Sequence, residues 1–251
     1  MTENKAIIEI KEMSKIFGAE PDQVVALKSI HLEIPEGEFT IILGPSGCGK
    51  STLLYLLAGF DQPTSGEILL DGQVIKKPGP DRGFVFQDYA LFPWKTVLGN
   101  VMFGLQQNGY GKQEAQKIAQ EHIDLVDLQG FENAYPHTLS GGMKQRVGIA
   151  RALAYNPKVL LMDEPFGALD AQTREHLQNS LIDIWQKTKK TIVFVTHSVA
   201  EAVFLADRIV IMKARPGGVK KLVEVDLPRP RRSTDDEFVK VTRNVLKIME
   251  S

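Results

Sequence analysis

The chain has 251 residues, room for one large α/β domain or two small ones. Its 30 Lys and Arg against 31 Asp and Glu leave a formal charge of −1, which argues against a general nucleic-acid binder. The single cysteine excludes an internal disulfide, and no apolar run approaches the roughly 20 residues of a membrane span. Met1-Thr2-Glu3-Asn4-Lys5 lacks the apolar centre of a signal peptide, so a cytosolic chain is expected. Ile7–Ile10 and Val24–Leu27 read as short strands, and Ile30–Ile34 alternates like a half-buried one. Pro35-Glu36-Gly37-Glu38 turns into Phe39-Thr40-Ile41-Ile42-Leu43, an apolar buried strand. Gly66–Leu70 and Gln73–Ile75 flank an Asp71-Gly72 turn and predict a hairpin, so the first part is partly antiparallel. Gly83–Phe86 is a further buried strand. From Gln87 to about Asn156 the pattern turns helical, most clearly over Gln113–Leu128. Strands return at Val159–Met162, Thr191–Val195 and Arg208–Met212, with helices over Ala171–Thr188 and Val199–Ala206 between them. This alternation predicts a parallel sheet with helices on its faces. From Ala214 the tail is broken by Pro216, Gly217, Gly218, Pro228 and Pro230, and Asp235–Ile248 closes it as a helix.

The chemistry starts at Gly44-Pro45-Ser46-Gly47-Cys48-Gly49-Lys50-Ser51-Thr52. This is the G-x-x-x-x-G-K-[ST] phosphate loop, in the strand–loop–helix setting that the motif requires. Its glycines let the backbone approach phosphate oxygens, and its N–H groups form an anion nest at the positive end of a helix. Lys50 is placed to reach the β- and γ-phosphates and Ser51 to bind Mg²⁺. Cys48 is most simply a small residue filling a tight turn. Its place at a helix N-terminus nevertheless predicts a lowered thiol pKa, hence a reactive site whose alkylation would block nucleotide binding.

Val159-Leu160-Leu161-Met162 ends in Asp163-Glu164. Asp163 is suited to hold Mg²⁺ through water and Glu164 to polarise an attacking water as general base. Leu139-Ser140-Gly141-Gly142-Met143-Lys144-Gln145-Arg146 reads as a serine-capped helix start. Ser140 and the N–H groups of Gly141 and Gly142 would direct that helix N-terminus at a γ-phosphate.

These stretches resemble the ATP-binding-cassette (ABC) ATPases, whose signature is L-S-G-G-x. Six blocks stand in family order through most of the chain: the phosphate loop, Gln87, the signature, Asp163-Glu164, Ala168-Leu169-Asp170 and His197. The resemblance implies a phosphate-loop NTPase (RecA-like) core of mostly parallel sheet, an N-terminal antiparallel β subdomain and an inserted helical subdomain. The boundaries are a core of residues 1–86 and 157–251 and a helical subdomain of 87–156. It also implies ATP and Mg²⁺ as ligands. Phe17 resembles the aromatic that stacks on adenine, Gln87 the loop glutamine that senses Mg²⁺ and the γ-phosphate, Asp170 the acid that links protomers, and His197 the switch histidine. His31, His122, His137 and His176 match nothing.

In this family the signature of one protomer completes the ATP site of the other, so the resemblance implies a homodimer with two competent sites. It further implies two transmembrane permease subunits and a substrate-binding protein acting through them, with no nucleic acid. The chain would lie peripherally on the cytoplasmic face of the plasma membrane. The aromatic stretch Phe86–Val101 suits a groove for a permease helix. Leu91-Phe92-Pro93-Trp94, Met143 in the signature, Ala214-Arg215-Pro216-Gly217 and Asp226-Leu227-Pro228-Arg229-Pro230-Arg231 resemble the nitrate/sulfonate/taurine branch of importers. Lys144, where that branch often has arginine, keeps the charge. The implied cargo is a small anion such as a sulfonate, nitrate or bicarbonate. The alternatives are a cassette of a lipid or other solute transporter and a non-transport cassette ATPase. The second usually brings a long coiled-coil insertion or two cassettes in one chain, and neither is seen.

Overall fold

The computed structural model describes residues 5–214 and 216–250. Residues 1–4 and Arg215 of the Ala-Arg-Pro-Gly stretch lie outside the described residues. The first strands are β1 (Ala6–Phe17), β2 (Val24–Pro35) and β3 (Phe39–Leu43), followed by α1 (Lys50–Ala58). Next come β4 (Ser65–Leu70), β5 (Gln73–Val74) and β6 (Arg82–Val85). The helical stretch holds α2 (Val97–Gln107), α3 (Lys112–Leu125), a 3₁₀ turn at Pro136–Thr138 and α4 (Gly141–Leu153). The remainder is β7 (Val159–Asp163), α5 (Ala171–Thr188), β8 (Thr191–Thr196), α6 (Val199–Leu205), β9 (Arg208–Lys213), β10 (Gly218–Glu224) and α7 (Asp236–Glu250). The chain is α/β, with one antiparallel sheet and one mostly parallel mixed sheet. It groups into two compact units, Met1–Gly79 with Thr191–Ser251, and Pro80–Lys190.

In the first unit, β2, β1, β4 and β5 form the antiparallel sheet in that order. The strands expected at 24–27 and 30–34 are one strand. Ser29 and Glu12 both take a left-handed φ of 47°, the Ser29 hydroxyl donates to the Glu12 carboxylate, and the register of β1 on β2 shifts on either side of Met13. These paired bulges bend the sheet without ending it. The second sheet of this unit is built on β3, whose five residues are all buried. It runs parallel to β8 on one side and β9 on the other. A strand covered on both faces explains its unbroken Phe-Thr-Ile-Ile-Leu run.

β10, absent from the sequence reading, pairs antiparallel on β9 at the sheet edge. Its Lys220 and Lys221 are typical of an exposed edge. Beyond it the Leu-Pro-Arg-Pro-Arg stretch is a clamp on α6. The buried Arg231 guanidinium donates to the carbonyls of Val203, Phe204, Ala206, Val225 and Leu227, at 2.6–3.2 Å. Arg229 donates to Leu205 O and Asp207 Oδ1. Together they satisfy the carbonyls that the C-terminal end of α6 leaves open. Burial pulls the Arg231 pKa down to about 10.

In the second unit, β6 and β7 pair in parallel, and α2, α3 and α4 pack on one another with α4 against β6. α3 buries Ala115, Ala119 and Ile123, a four-residue spacing that puts them on one face. Asn100, fully buried on α2, takes the N–H of Phe92 on Oδ1 and donates to the carbonyls of Phe92, Lys95 and Thr96. One amide therefore fixes the loop that carries Phe92 and Trp94.

Candidate active site

In the first unit, the loop between β3 and α1 is packed beneath and open above. Gly49 caps α1 at φ 93°, and a Cβ there would meet Leu27 Cδ2 at 2.6 Å. A Cβ at Gly44 would meet Cys48 Sγ at 2.8 Å and Met212 O at 3.0 Å. Gly47, by contrast, has φ 75° and open space where its Cβ would stand. Pro45, Ser46 and Gly47 are exposed on that side. Lys50 is buried, and its ammonium arches back to the carbonyls of Gly44 (3.0 Å) and Pro45 (3.1 Å). Ser51 and Thr52 sit half-buried in the first turn of α1. A concave backbone, a helix N-terminus and a held ammonium fit a triphosphate chain.

One buttress of this loop escaped the sequence reading. Gly217 exchanges backbone hydrogen bonds with Ala26 and Lys28, and a Cβ on it would lie 2.3 Å from the carbonyl of Cys48. Only glycine fits that approach, and its proximity to the loop comes from a contact some 170 residues long in sequence, which no local pattern carries.

Cys48 corrects an expectation. It is fully buried beneath the loop, and desolvation pushes its thiol pKa up, outweighing the pull of Lys50 and of local backbone N–H groups. The reactive-thiol reading therefore falls, and the small-filler reading stands. Aromatic disulfide reagents at neutral pH are expected to leave the native chain unmodified with nucleotide binding intact. The thiol should titrate only after denaturation; rapid labelling of the native chain would contradict the burial argument.

His197 follows the last residue of β8. The β3–β8 register pairs Leu43 with Thr196, so Gly44 and His197 leave neighbouring parallel strands at the same end. Adjacent strands lie about 4.8 Å apart, so the histidine stands beside the phosphate loop. His197 is exposed there and precedes Ser198, whose Oγ caps α6 by accepting from Glu201 N. Phe17 ends β1, the residue 42% exposed and the Lys15 ammonium 4.8 Å from its ring centroid. A base can stack on such a face.

In the second unit, the same logic gathers the other motifs. Val85 pairs with Met162, so Gln87 and Asp163-Glu164 leave β6 and β7 at one end. Asp163 is buried. Glu164 is half-buried at φ 40°, a strained conformation for a non-glycine residue, and its carbonyl accepts from Gly167 N. The exposed Gln87 places Nε2 3.6 Å from where a Cβ of Gly167 would be. Ser140 caps α4, its Oγ accepting from Met143 N at 3.3 Å. A Cβ on Gly142 would meet Thr173 Cγ2 at 2.7 Å, and one on Gly141 would meet Leu169 Cδ2 at 3.2 Å. These glycines let the start of α4 approach α5 closely. Asp170 caps α5 by accepting from Thr173 N, and that bond holds its carboxyl below the usual range. Among the described residues, no three His, Cys, Asp or Glu side chains form a metal cage. The candidate donors Ser51, Gln87 and Asp163 are hard oxygen groups. Mg²⁺ favours such groups when it shares its shell with phosphates.

A family model of the ABC transporter matches residues 27–167. The chain belongs to this family, as an ATP-binding subunit, and ATP hydrolysis is the activity of its domain. It is 55% identical to an uncharacterised ABC transporter ATP-binding protein of Methanocaldococcus jannaschii, over 98% of this chain and 92% of that one. It is 50% identical to the nitrate import ATP-binding protein NrtD of Synechocystis, covering 94% of this chain and 89% of the relative. An aliphatic sulfonates import ATP-binding protein, SsuB of Bacillus cereus, is 47% identical over 97% and 96%. A dimeric ATP-binding cassette solved in a post-hydrolysis state with ADP and phosphate superposes with a TM-score of 0.76. It is 35% identical over 88% of this chain and 100% of that one. No helix among the described residues is long and apolar enough to cross a membrane.

Proposed function

We propose that the chain energises an importer of a small anion, a sulfonate, nitrate or bicarbonate, as one of two identical ATPase subunits beneath a pair of permease subunits fed by a binding protein. The observation that carries this reading is likeness at 47–50% identity, over almost the whole chain, to import subunits for two different small anions. The core would be residues 1–86 and 157–251, with 87–156 as the helical subdomain, and the assembly would sit peripherally on the cytoplasmic membrane face.

The roles are those that the likeness to the family implies. Phe17 stacks on adenine. The N–H groups of residues 44–52 and the Lys50 ammonium bind and orient the β- and γ-phosphates. Ser51, Gln87 and Asp163 would hold Mg²⁺, which supplies charge neutralisation on the phosphate oxygens. Glu164 takes a proton from the attacking water, His197 donates toward the γ-phosphate, and Asp170 meets the partner protomer. Ser140, Gly141 and Gly142 turn the positive end of α4 toward the γ-phosphate of the partner's ATP. The permease helix docks on the aromatic patch held by Asn100. There Trp94 is 71% exposed, and the Phe92 ring lies 5.7 Å from Trp94 and 4.4 Å from Phe103.

The test is to purify the chain with its membrane partners, reconstitute them in lipid discs and add the binding protein. ATPase activity is then measured with taurine, nitrate, bicarbonate and a neutral organic solute in turn. Stimulation by one anion is expected and names the cargo. Stimulation by the neutral solute alone, or by none, overturns the anion-importer reading.

A further inference from the structure

One arginine of α4 has no part in the ATP chemistry and yet holds the loop that follows Gln87. Arg151 stands in the last turn of α4, at the far end from Ser140. Its Nη1 donates to Ala90 O at 2.6 Å and its Nη2 to Tyr89 O at 3.0 Å, partners 61 and 62 residues earlier. Its Cζ lies 6.0 Å from the centroid of Phe92, within cation–π range. Tyr89 and Ala90 both take left-handed φ angles, 60° and 46°. Two consecutive non-glycine residues in that region persist only where their surroundings over-determine them. The planar guanidinium fork, bridging both carbonyls, supplies that constraint.

Tyr89 also reaches the other end of the helix. A methyl group on Gly141 would come within 3.1 Å of its hydroxyl. Tyr89 thus meets α4 near both ends, its hydroxyl beside the signature glycine and its carbonyl on Arg151, with Gln87 two residues before it. Arg151 is half-buried, partial desolvation lowers its pKa, and its charge is turned onto the two backbone oxygens.

We propose that Arg151 is a positioning residue that binds the 87–92 segment to the signature helix, so that a helix docked on Phe92 and Trp94 shifts Gln87 and Ser140 as one body. The docking part rests on the importer reading above; the tie itself does not. Arg151→Gln removes the fork, whereas Arg151→Lys keeps a charge that grips one carbonyl at a time.

Two measurements separate the tie from the transport reading. In the detached full chain, amide hydrogen exchange is followed with and without MgATP. In the wild type, protection of 88–92 and of 140–144 is expected to rise together. In Arg151→Gln the 88–92 amides should lose protection while 140–144 still respond, with nucleotide affinity and basal turnover unchanged. In the reconstituted assembly, Arg151→Gln should turn over ATP only at the basal rate in the presence of cargo, and Arg151→Lys should recover part of the stimulation. Unaltered exchange at 88–92 in Arg151→Gln overturns the tie. So does an equal fall in basal and stimulated rates, which marks a merely structural residue. Loss of the exchange coupling together with a wild-type assembly that no cargo stimulates leaves the tie standing and removes the importer reading.

Discussion

Glutamine in place of Glu164 is expected to cut steady-state ATP turnover by about 10²- to 10⁴-fold, the range that loss of a general base produces. The chain should still bind MgATP and should accumulate as a dimer. The substitution is nearly isosteric, so the strained backbone at φ 40° and the turn closed by Gly167 N onto the Glu164 carbonyl are kept. What is lost is the ability to accept a proton from water. The caps on α4 and α5 are made by Ser140 and Asp170 and do not use the carboxylate. A closed state that can bind but not hydrolyse has no exit, and the likeness to a cassette solved as a dimer after hydrolysis gives the form in which it should collect. Phosphate release and light scattering on a sizing column read the two halves separately. A variant that hydrolyses at the wild-type rate removes Glu164 as base. One that stays monomeric in saturating MgATP removes the two-protomer site.

The setting of these motifs at strand and helix ends was legible in the sequence because its constraints are local. The phosphate loop stands between a five-residue strand buried on every position and a helix that begins at the motif lysine. Both flanks announce themselves within about ten residues. The helix Ala171–Thr188 appears with the bounds read from its pattern, because Asp170 caps it and its apolar residues repeat at helical spacing. Likewise, the signature serine is a cap before it is anything else.

What was not legible depended on distant contacts. Lys28-Ser29 looks like a break between two strands, yet Ser29 answers a matching irregularity at Glu12 across the sheet, and the strand continues. β10 was hidden by Pro216 and two glycines at its start, and only its partner β9 makes it a strand. Gly217 looked like a chain breaker and is a buttress of the phosphate loop. The motif located Cys48 without saying which way its sulfur faces. Packed under Gly44 and Met212, it is governed by desolvation, and the helix N-terminus does not prevail. Arg229 and Arg231 stand in a stretch broken by prolines, and both guanidinium groups end on the carbonyls that close α6. In each case the residue type was visible and the partner was not.

Removing the Lys50 ammonium tests the other half of the mechanism, binding rather than turnover. Lys50→Ala is expected to weaken ATP affinity by about 10- to 150-fold, the loss of one charge-assisted hydrogen bond of about 1.5–3 kcal/mol. The geometry shapes the expectation in a second way. The ammonium also holds the carbonyls of Gly44 and Pro45 at 3.0 and 3.1 Å. Its loss therefore frees the first residues of the loop as well as removing a charge from the phosphates. Lys50→Met keeps most of the buried stem and isolates the charge, so the difference between the two variants measures the packing share. If the ammonium acts on the β- and γ-phosphates, AMP affinity should be nearly unchanged while ATP affinity falls, and titration calorimetry distinguishes the two. An equal loss for AMP and ATP would mean that the loop had collapsed. Undiminished ATP affinity in both variants would remove Lys50 from the phosphate site altogether. The contrast with Glu164 then becomes the sharpest reading of the site: one substitution should move the dissociation constant and the other the catalytic rate, because one group meets charge that is present on arrival and the other a proton that leaves only during the reaction.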